Sequence, residues 1–383
     1  MSRIVGLDRA VLFRQVLIVL AIAAAFLTGG YAAPYAAGGA IWLFALIALG
    51  ICFYWWKPRP LAWHQAGLAH FIDAVLSVLL FVVLVLALDG LPAGTQAGLP
   101  LWLFAIAAWL FAWATVSMAS AWRAGARLRG LRDFGIPLLF GVTMLFLWEI
   151  AVRGANVPMV LLPAPSQIWA RLIASVPTLT ADFLQTFKAV LAGFAIGCGS
   201  GFVVAILVDR SPFLKRGLLP IGNFVSALPI IGIAPIMVMW FGFDWPSKAA
   251  VVVAMTFFPM LVNTVAGLNA ASSIERDLMH TYAASYWETL AKLRLPAAAP
   301  FIFNALKINS TLALIGAIVA EFFGTPIVGM GFRISTEVGK LNIDLVWAEI
   351  AVAAVAGSAF YGVIALIERA VTFWHPSIRG GRT

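Results

Sequence analysis

Long apolar runs separated by short polar connections dominate the chain, and they are continuous rather than alternating. A helix that crosses the hydrocarbon core of a bilayer needs about 20 mostly apolar residues. Runs of that kind fall at 11–31, 38–56, 68–89, 99–120, 134–152, 187–208, 217–241, 247–268, 301–322 and 345–367. A transmembrane barrel would instead show short segments of alternating polarity. In lipid each spanning segment must satisfy its own backbone hydrogen bonds, so the pattern predicts an all-α polytopic membrane protein with about ten transmembrane helices.

Composition points the same way. Of 383 residues, 63% are hydrophobic and 11% charged, against roughly 25% charged in an ordinary soluble domain. The net charge of +9 does not imply nucleic acid. The basic residues sit in the connections: Arg3, Arg9, Arg14, Lys57, Arg59, Arg123–Arg132, Arg210, Lys215, Arg216, Arg276, Lys292, Arg294, Arg369, Arg379 and Arg382 share one side. The opposite side receives few, among them Arg153, Arg171, Lys188, Lys248, Arg333 and Lys340. The positive-inside rule then puts both termini in the cytoplasm of an inner (plasma) membrane protein. Gly29, Gly30, Ala32 and Ala33 after the first run resemble a signal peptide, but the apolar core is longer than a typical h-region and is expected to remain as a span. Cys52 and Cys198 both lie in apolar runs, and His64, His70, His280 and His375 are scattered. No metal site, cofactor or catalytic residue is expected.

Two regions differ in character. The first four runs carry few polar groups and end in the basic stretch Arg123–Arg132, which reads as an accessory bundle and a linker, residues 1–133. The second region, 134–376, is richer in signals, and 377–383 reads as a cytoplasmic tail. Ser166, after Pro165, is a candidate N-cap for an amphipathic interfacial helix through Leu184. Gly193, Gly197, Gly199 and Gly201 offer a small-residue face for close helix packing. They are no phosphate loop, because no Lys-Ser/Thr follows. Pro220, Pro229 and Pro235 interrupt the run at 217–241, as a kinked packing helix or one lining a cavity. Nearby polar residues make Asn223, Ser226, Pro229, Pro235, Asn263, Asn309, Ser310 and Glu321 candidates for a solute pathway. Glu321 is a functional candidate if it lies at membrane depth and a solvated group if it lies at the interface. Lys307 could pair with a carboxylate but is expected to snorkel inward to the cytoplasm, and Glu149 and Glu349 are expected to be interfacial rather than catalytic.

The most informative segment is Ala271–Pro300, on the basic side. It predicts one helix near Glu275–Tyr282 and a second opening at Ser285, where Ser-x-x-Glu with Glu288 forms a capping box, and ending before Pro296. Ala283 and Ala284 leave room at the joint. Tyr282, Tyr286, Trp287 and Leu290 are unusually aromatic and apolar for an aqueous loop, as in a partner-binding anchor. Packing beneath the spans is the alternative.

This segment resembles the cytoplasmic EAA loop of binding-protein-dependent ABC importer permeases. Alignment on Leu293-Arg294-Leu295-Pro296 puts the family's acid at Asp277, its two alanines at Leu278 and Met279 and its glycine at Ala283, and at the last three the chain departs from the pattern. Leu162-Pro163-Ala164-Pro165-Ser166, Ala227-Leu228-Pro229, Trp240-Phe241-Gly242 and Ile315–Phe322 are similar to the branch that imports taurine, sulfonates, nitrate and vitamin precursors, with the C-terminal wording nearest thiamine-pyrimidine or riboflavin permeases. The resemblance implies a six-helix type I importer core over 134–376. It implies two permease subunits, expected as a homodimer, a cytoplasmic ATPase dimer and an external, periplasmic solute-binding protein. The ATPase would dock on Asp277, Tyr282, Ala283, Ala284, Ser285, Tyr286, Trp287, Leu290, Leu295 and Pro296. The chain contains no Gly-x-x-x-x-Gly-Lys-Ser/Thr for an ATP site of its own, so it is read as a transport subunit rather than an enzyme. An ion-gradient-driven secondary transporter is the rival, and it calls for paired intramembrane charges and internal repeats.

Overall fold

The computed structural model describes residues 63–89, 94–121, 128–226, 229–324 and 328–374. The expected spans at 11–31 and 38–56 lie outside the described residues. The chain forms two compact units, one reaching to Ile168 and the other beginning at Trp169. Among the described residues every regular element is helical.

The first unit contains α1 (Trp63–Asp89), α2 (Leu99–Ala121) and α3 (Arg129–Gly154), and α4 (Pro165–Ala174) begins in it. Phe81, Leu84 and Leu88 of α1 pack against Phe104, Ala105, Ala108 and Ala112 of α2 and Ile150 of α3. Phe81 and Phe146 stack at 5.6 Å. Alanines on α2 let the larger α1 side chains interdigitate, as close packing requires. Packing thus groups α3 with the helices before it, whereas the sequence reading assigns it to the region from 134 onward.

The start of α4 corrects two expectations. Ser166 lies inside the helix rather than capping it. Its backbone N–H and hydroxyl both donate to the Glu149 carboxylate, at 2.8 and 2.6 Å. Glu149 is accordingly buried within the protein rather than solvated. A carboxylate at a helix N-terminus meets the orphan amides and the favourable end of the helix dipole together.

The second unit contains α5 (Val176–Arg210), α6 (Pro212–Ser226), α7 (Ile230–Phe241), α8 (Trp245–Leu268), α9 (Ser273–Thr281), α10 (Tyr286–Thr289), a π-helical turn (Leu290–Arg294), α11 (Leu295–Glu321), α12 (Met330–Gly339) and α13 (Ile343–Val371). The helical stretches 129–154, 176–210, 245–268, 286–321 and 343–371 are long and apolar enough to cross a membrane. The expected single span at 217–241 is instead two helices, α6 and α7, with Pro229 in extended backbone (φ −68°, ψ 119°) just before α7. Proline cannot donate into a helix ladder and clashes with the preceding turn, which explains a break here.

At the centre α5 and α8 run in the same direction, and glycines set their spacing. A Cβ at Gly193 would meet the Ala249 carbonyl at 2.7 Å, and one at Gly201 the Phe257 carbonyl at 2.6 Å. Between them, a Cβ at Gly197 would collide with the Thr256 hydroxyl and sit 3.1 Å from Val253 Cα. The spacing of four residues places all three glycines on one face. Gly199, two residues off that register, has nothing within 4 Å and takes no part. On the other side of α8, α11 closes in where Gly267 meets Phe301 and Ala298. Val190, Val252, Ala313, Leu314 and Ala317 fill the space between α5, α8 and α11.

Candidate functional site

The loop joining α8 to α11 is built by local rules. Ser272 accepts from the Glu275 N–H while Glu275 accepts from the Ser272 N–H at 2.9 Å, a full capping box at the start of α9. The Ser272 backbone N–H and hydroxyl hold the Glu275 carboxyl below the usual carboxylate range. A second box, Ser285 with Glu288, opens α10 as the sequence predicts. Between them α9 ends in a Schellman motif. The Ala283 N–H donates to the His280 carbonyl at 2.9 Å and the Ala284 N–H to Met279 at 3.0 Å. That closure forces Ala283 to φ 52°, in the left-handed region. A Cβ is strained in this conformation by about 1 kcal/mol, which is the physical reason a glycine would suit the position. Ala283→Gly is expected to slow hydrogen exchange of the α9–α10 amides about two- to threefold, since relief of strain is partly offset by glycine's greater freedom when the loop opens. Faster exchange would contradict it.

Pro296 does not end a helix, contrary to the sequence expectation. The π turn Leu290–Arg294 runs directly into α11, with Pro296 in the first turn of α11. A wider turn relieves the clash that proline makes with the carbonyl four residues earlier. The same turn directs two side chains inward. Leu290 is buried with Leu268 and Ala298, and Tyr286 and Leu295 pack beside it. Arg294 reaches Asp209 at the end of α5 through two parallel bonds of 2.7 Å. Its Nε donates to the Leu268 carbonyl at 2.9 Å. The Tyr286 hydroxyl donates to the same Asp209 carboxylate at 2.9 Å.

The predicted loop residues therefore separate into two sets. Asp277, Ala283 and Ser285 are exposed, as are Tyr282 (77%) and Trp287 (57%). Ile274 and Leu278, which sequence reasoning passed over, are exposed beside them. Tyr286, Leu290 and Leu295 face the bundle, while Ala284 and Pro296 are half-buried. The Arg210 guanidinium lies 5.8 Å from both the Tyr286 and the Trp287 ring centroids, within cation–π range.

At the opposite end of the core, α12 is held by side chains of α5 and α11. Asp182 accepts from the Gly329 N–H at 2.8 Å, Thr186 from the Met330 N–H at 2.9 Å and Glu321 from the Gly331 N–H at 2.7 Å. Thr186 also donates to Glu321 at 2.8 Å, and Arg333 to Asp182 at 2.7 Å. Asp182, Thr186 and Glu321 are buried, so three side-chain acceptors meet the free amides at a helix start. Glu321 is thus enclosed by its own chain rather than solvated. Glu349 is also fully buried, near Asp182 and Arg333, in a helix that packs against α12. Lys248 donates to the carbonyls of Phe243 and Gly324.

The remaining pathway candidates are dispersed. Asn309 donates to the Thr256 carbonyl at 2.8 Å and to Cys198 Sγ at 3.2 Å, and Ser310 to the Lys307 carbonyl at 2.7 Å. Both are fully enclosed. Asn263 bonds the Pro259 carbonyl and is partly exposed, Pro235 is partly exposed and Pro229 exposed. The side chains of Asn223 and Ser226 lie outside the described residues. Lys307 pairs with Glu368 of α13 at 2.7 Å instead of snorkelling; a carboxylate one helix away supplies what the interface would have.

Comparison with known proteins adds an independent line. The family model described as "Binding-protein-dependent transport system inner membrane component" matches residues 193–373, from α5 to just beyond α13. The formylaminopyrimidine transport permease ThiX of Halalkalibacterium halodurans is 30% identical over 239 residues, 62% of this chain and 95% of its own. The riboflavin transport permease RibX of Chloroflexus aurantiacus is 28% identical over 262 residues, 67% of this chain and 97% of its own. The putative aliphatic sulfonates permease SsuC of Bacillus subtilis is 27% identical over 246 residues, 63% of this chain and 88% of its own.

Proposed function

This chain belongs to the family of inner membrane components of binding-protein-dependent transport systems, and from that membership we propose how it works. It is the permease subunit of an ATP-driven importer. The basic connections set both termini and the α9–α10 loop in the cytoplasm. There the exposed face of Asp277, Tyr282 and Trp287, with Ile274 and Leu278, docks on an ATPase pair. The observation that carries this reading is that aromatic and apolar side chains stand exposed on a loop whose backbone is fixed by two capping boxes and a Schellman turn. A rigid loop binds with little loss of conformational entropy, and exposed aromatics supply the anchoring area.

A second copy of the chain completes the pathway. Pro229, Pro235 and Asn263 are the pathway candidates with surface left over after the chain's own packing, and Asn223 and Ser226 belong with them. Residues 134–376 make up the permease core, with 1–133 an accessory membrane region. An external binding protein delivers solute near α12. The solute is a small heteroaromatic vitamin or vitamin precursor, the class named for ThiX and RibX, each matched over almost its whole length. The match to SsuC favours a sulfonate as the second reading.

Uptake into vesicles carrying the permease, its ATPase and its binding protein tests this. Labelled riboflavin or formylaminopyrimidine should accumulate only with ATP, and excess alkanesulfonate should not compete. Competition by the sulfonate would transfer the solute to the second reading. Accumulation without ATP that follows an imposed ion gradient would overturn the importer itself.

A further inference from the structure

The docking loop has almost no core of its own. α9 and α10 bury none of their residues, so a push on Tyr282 or Trp287 reaches the spans along the helix that continues into α11 and through the side chains that fasten the loop to the bundle. Leu290 is one fastening, apolar and non-directional. The directional one is the Asp209 carboxylate, whose side chain is 4% exposed and which accepts two bonds from Arg294 and one from Tyr286. Arg294 then ties the end of α8 through the Leu268 carbonyl and stands immediately before α11. One guanidinium thereby joins the loop ends of α5, α8 and α11, the three helices at the centre of the second unit. A paired guanidinium–carboxylate contact fixes angle as well as distance, which a point charge or an apolar contact does not.

We infer that Asp209 is a positioning residue that couples the loop to the core, transmitting movement of the docked ATPase into α5 and α8 through Arg294 and Tyr286. This rests on the loop being the ATPase receiver. It adds a second role for the segment: Tyr282 and Trp287 receive the movement, and Tyr286 and Arg294 convey it. The consequence is a separation of two quantities that a merely stabilising contact would change together. Breaking the clasp should leave the ATPase bound and hydrolysing ATP while fewer solute molecules cross per ATP.

The experiment measures solute transported per ATP hydrolysed in vesicles holding the full complex, alongside the amount of ATPase that co-purifies. Asp209→Asn is expected to lower transport per ATP about tenfold with co-purification unchanged. Arg294→Lys keeps the charge but loses the paired geometry, and it should show the same uncoupling, which covers the case of Asp209→Asn failing to assemble. The exchanged pair Asp209→Arg with Arg294→Asp should recover part of the ratio. Wild-type transport per ATP in both single variants overturns the inference. So does a loss of transport that only tracks a loss of assembled complex. Failure of the docking reading shows elsewhere, as ATPase that still co-purifies with Trp287→Asp.

Discussion

Gly197→Leu is expected to destabilise the permease by about 3 kcal/mol or more, whereas Gly199→Leu, two residues away, should change little. The contrast follows from what each position faces. At Gly197 even a methyl group would collide with the Thr256 hydroxyl and press on the Val253 backbone. Thr256 cannot swing away freely, because it is fully buried and its hydroxyl donates to the Val252 carbonyl at 2.8 Å. Relief requires α5 and α8 to separate, and Gly193 and Gly201 one turn to either side would lose their contacts with α8 as well. Lipid tails solvate apolar side chains as well as a neighbouring helix does, so close packing rather than hydrophobic burial is what holds spans together. Gly199 is exposed with open space where a Cβ would go. The thermal midpoint in detergent and the monodisperse fraction read the difference, and equal values for the two variants would contradict this account of the α5–α8 contact.

What could be read in the sequence was what short-range rules govern. The Ser285–Glu288 box needs only a spacing of three, and it formed as expected. The small-residue face on α5 was also legible, although its register was not used: steps of four pick out Gly193, Gly197 and Gly201 and leave out Gly199. Ala283 was visible as a departure from the family pattern. Its left-handed backbone is one that glycine adopts without strain, and alanine is tolerated there at a modest cost.

The rest depended on contacts far apart in the chain. Asp209 and Arg294 are separated by 85 residues, and nothing in their local surroundings links them. Asp209 stands near the end of an apolar run, where its sequence neighbours give no sign of a partner. Asp182 and Thr186 drew no attention for the same reason, since their partners are backbone amides of a helix 144 or more residues later. Glu149, Glu349 and Lys307 were read as interfacial because distance from a span end was the only available guide. Each turned out to be buried or paired by a neighbouring helix. The continuation of the helix through Pro296 was hidden because proline is locally a stop signal, and a π turn is what lets the helix pass it.

Trp287→Asp is the second change with a large expected effect, and it bears on the docking surface itself. Trp287 is exposed, sits on the first turn of α10 and stacks edge-on against Tyr286 at 5.3 Å. Its loss removes no buried contact of the permease, so insertion and folding should be preserved. In a docked complex the same ring would be an anchor, and interface anchors of this type cost about 2–4 kcal/mol or more when removed. Burying an unpaired carboxylate in its place adds a desolvation cost. At least a thirtyfold weaker association is expected, with ATP-driven uptake lost accordingly. Tyr282→Asp, on the same exposed face, should act in the same direction. The direct measurement is the amount of ATPase that co-purifies with Trp287→Asp permease extracted from membranes in wild-type quantity. The docking account predicts that the ATPase is lost while the permease remains monodisperse; wild-type recovery of the ATPase with both Trp287→Asp and Tyr282→Asp would contradict it.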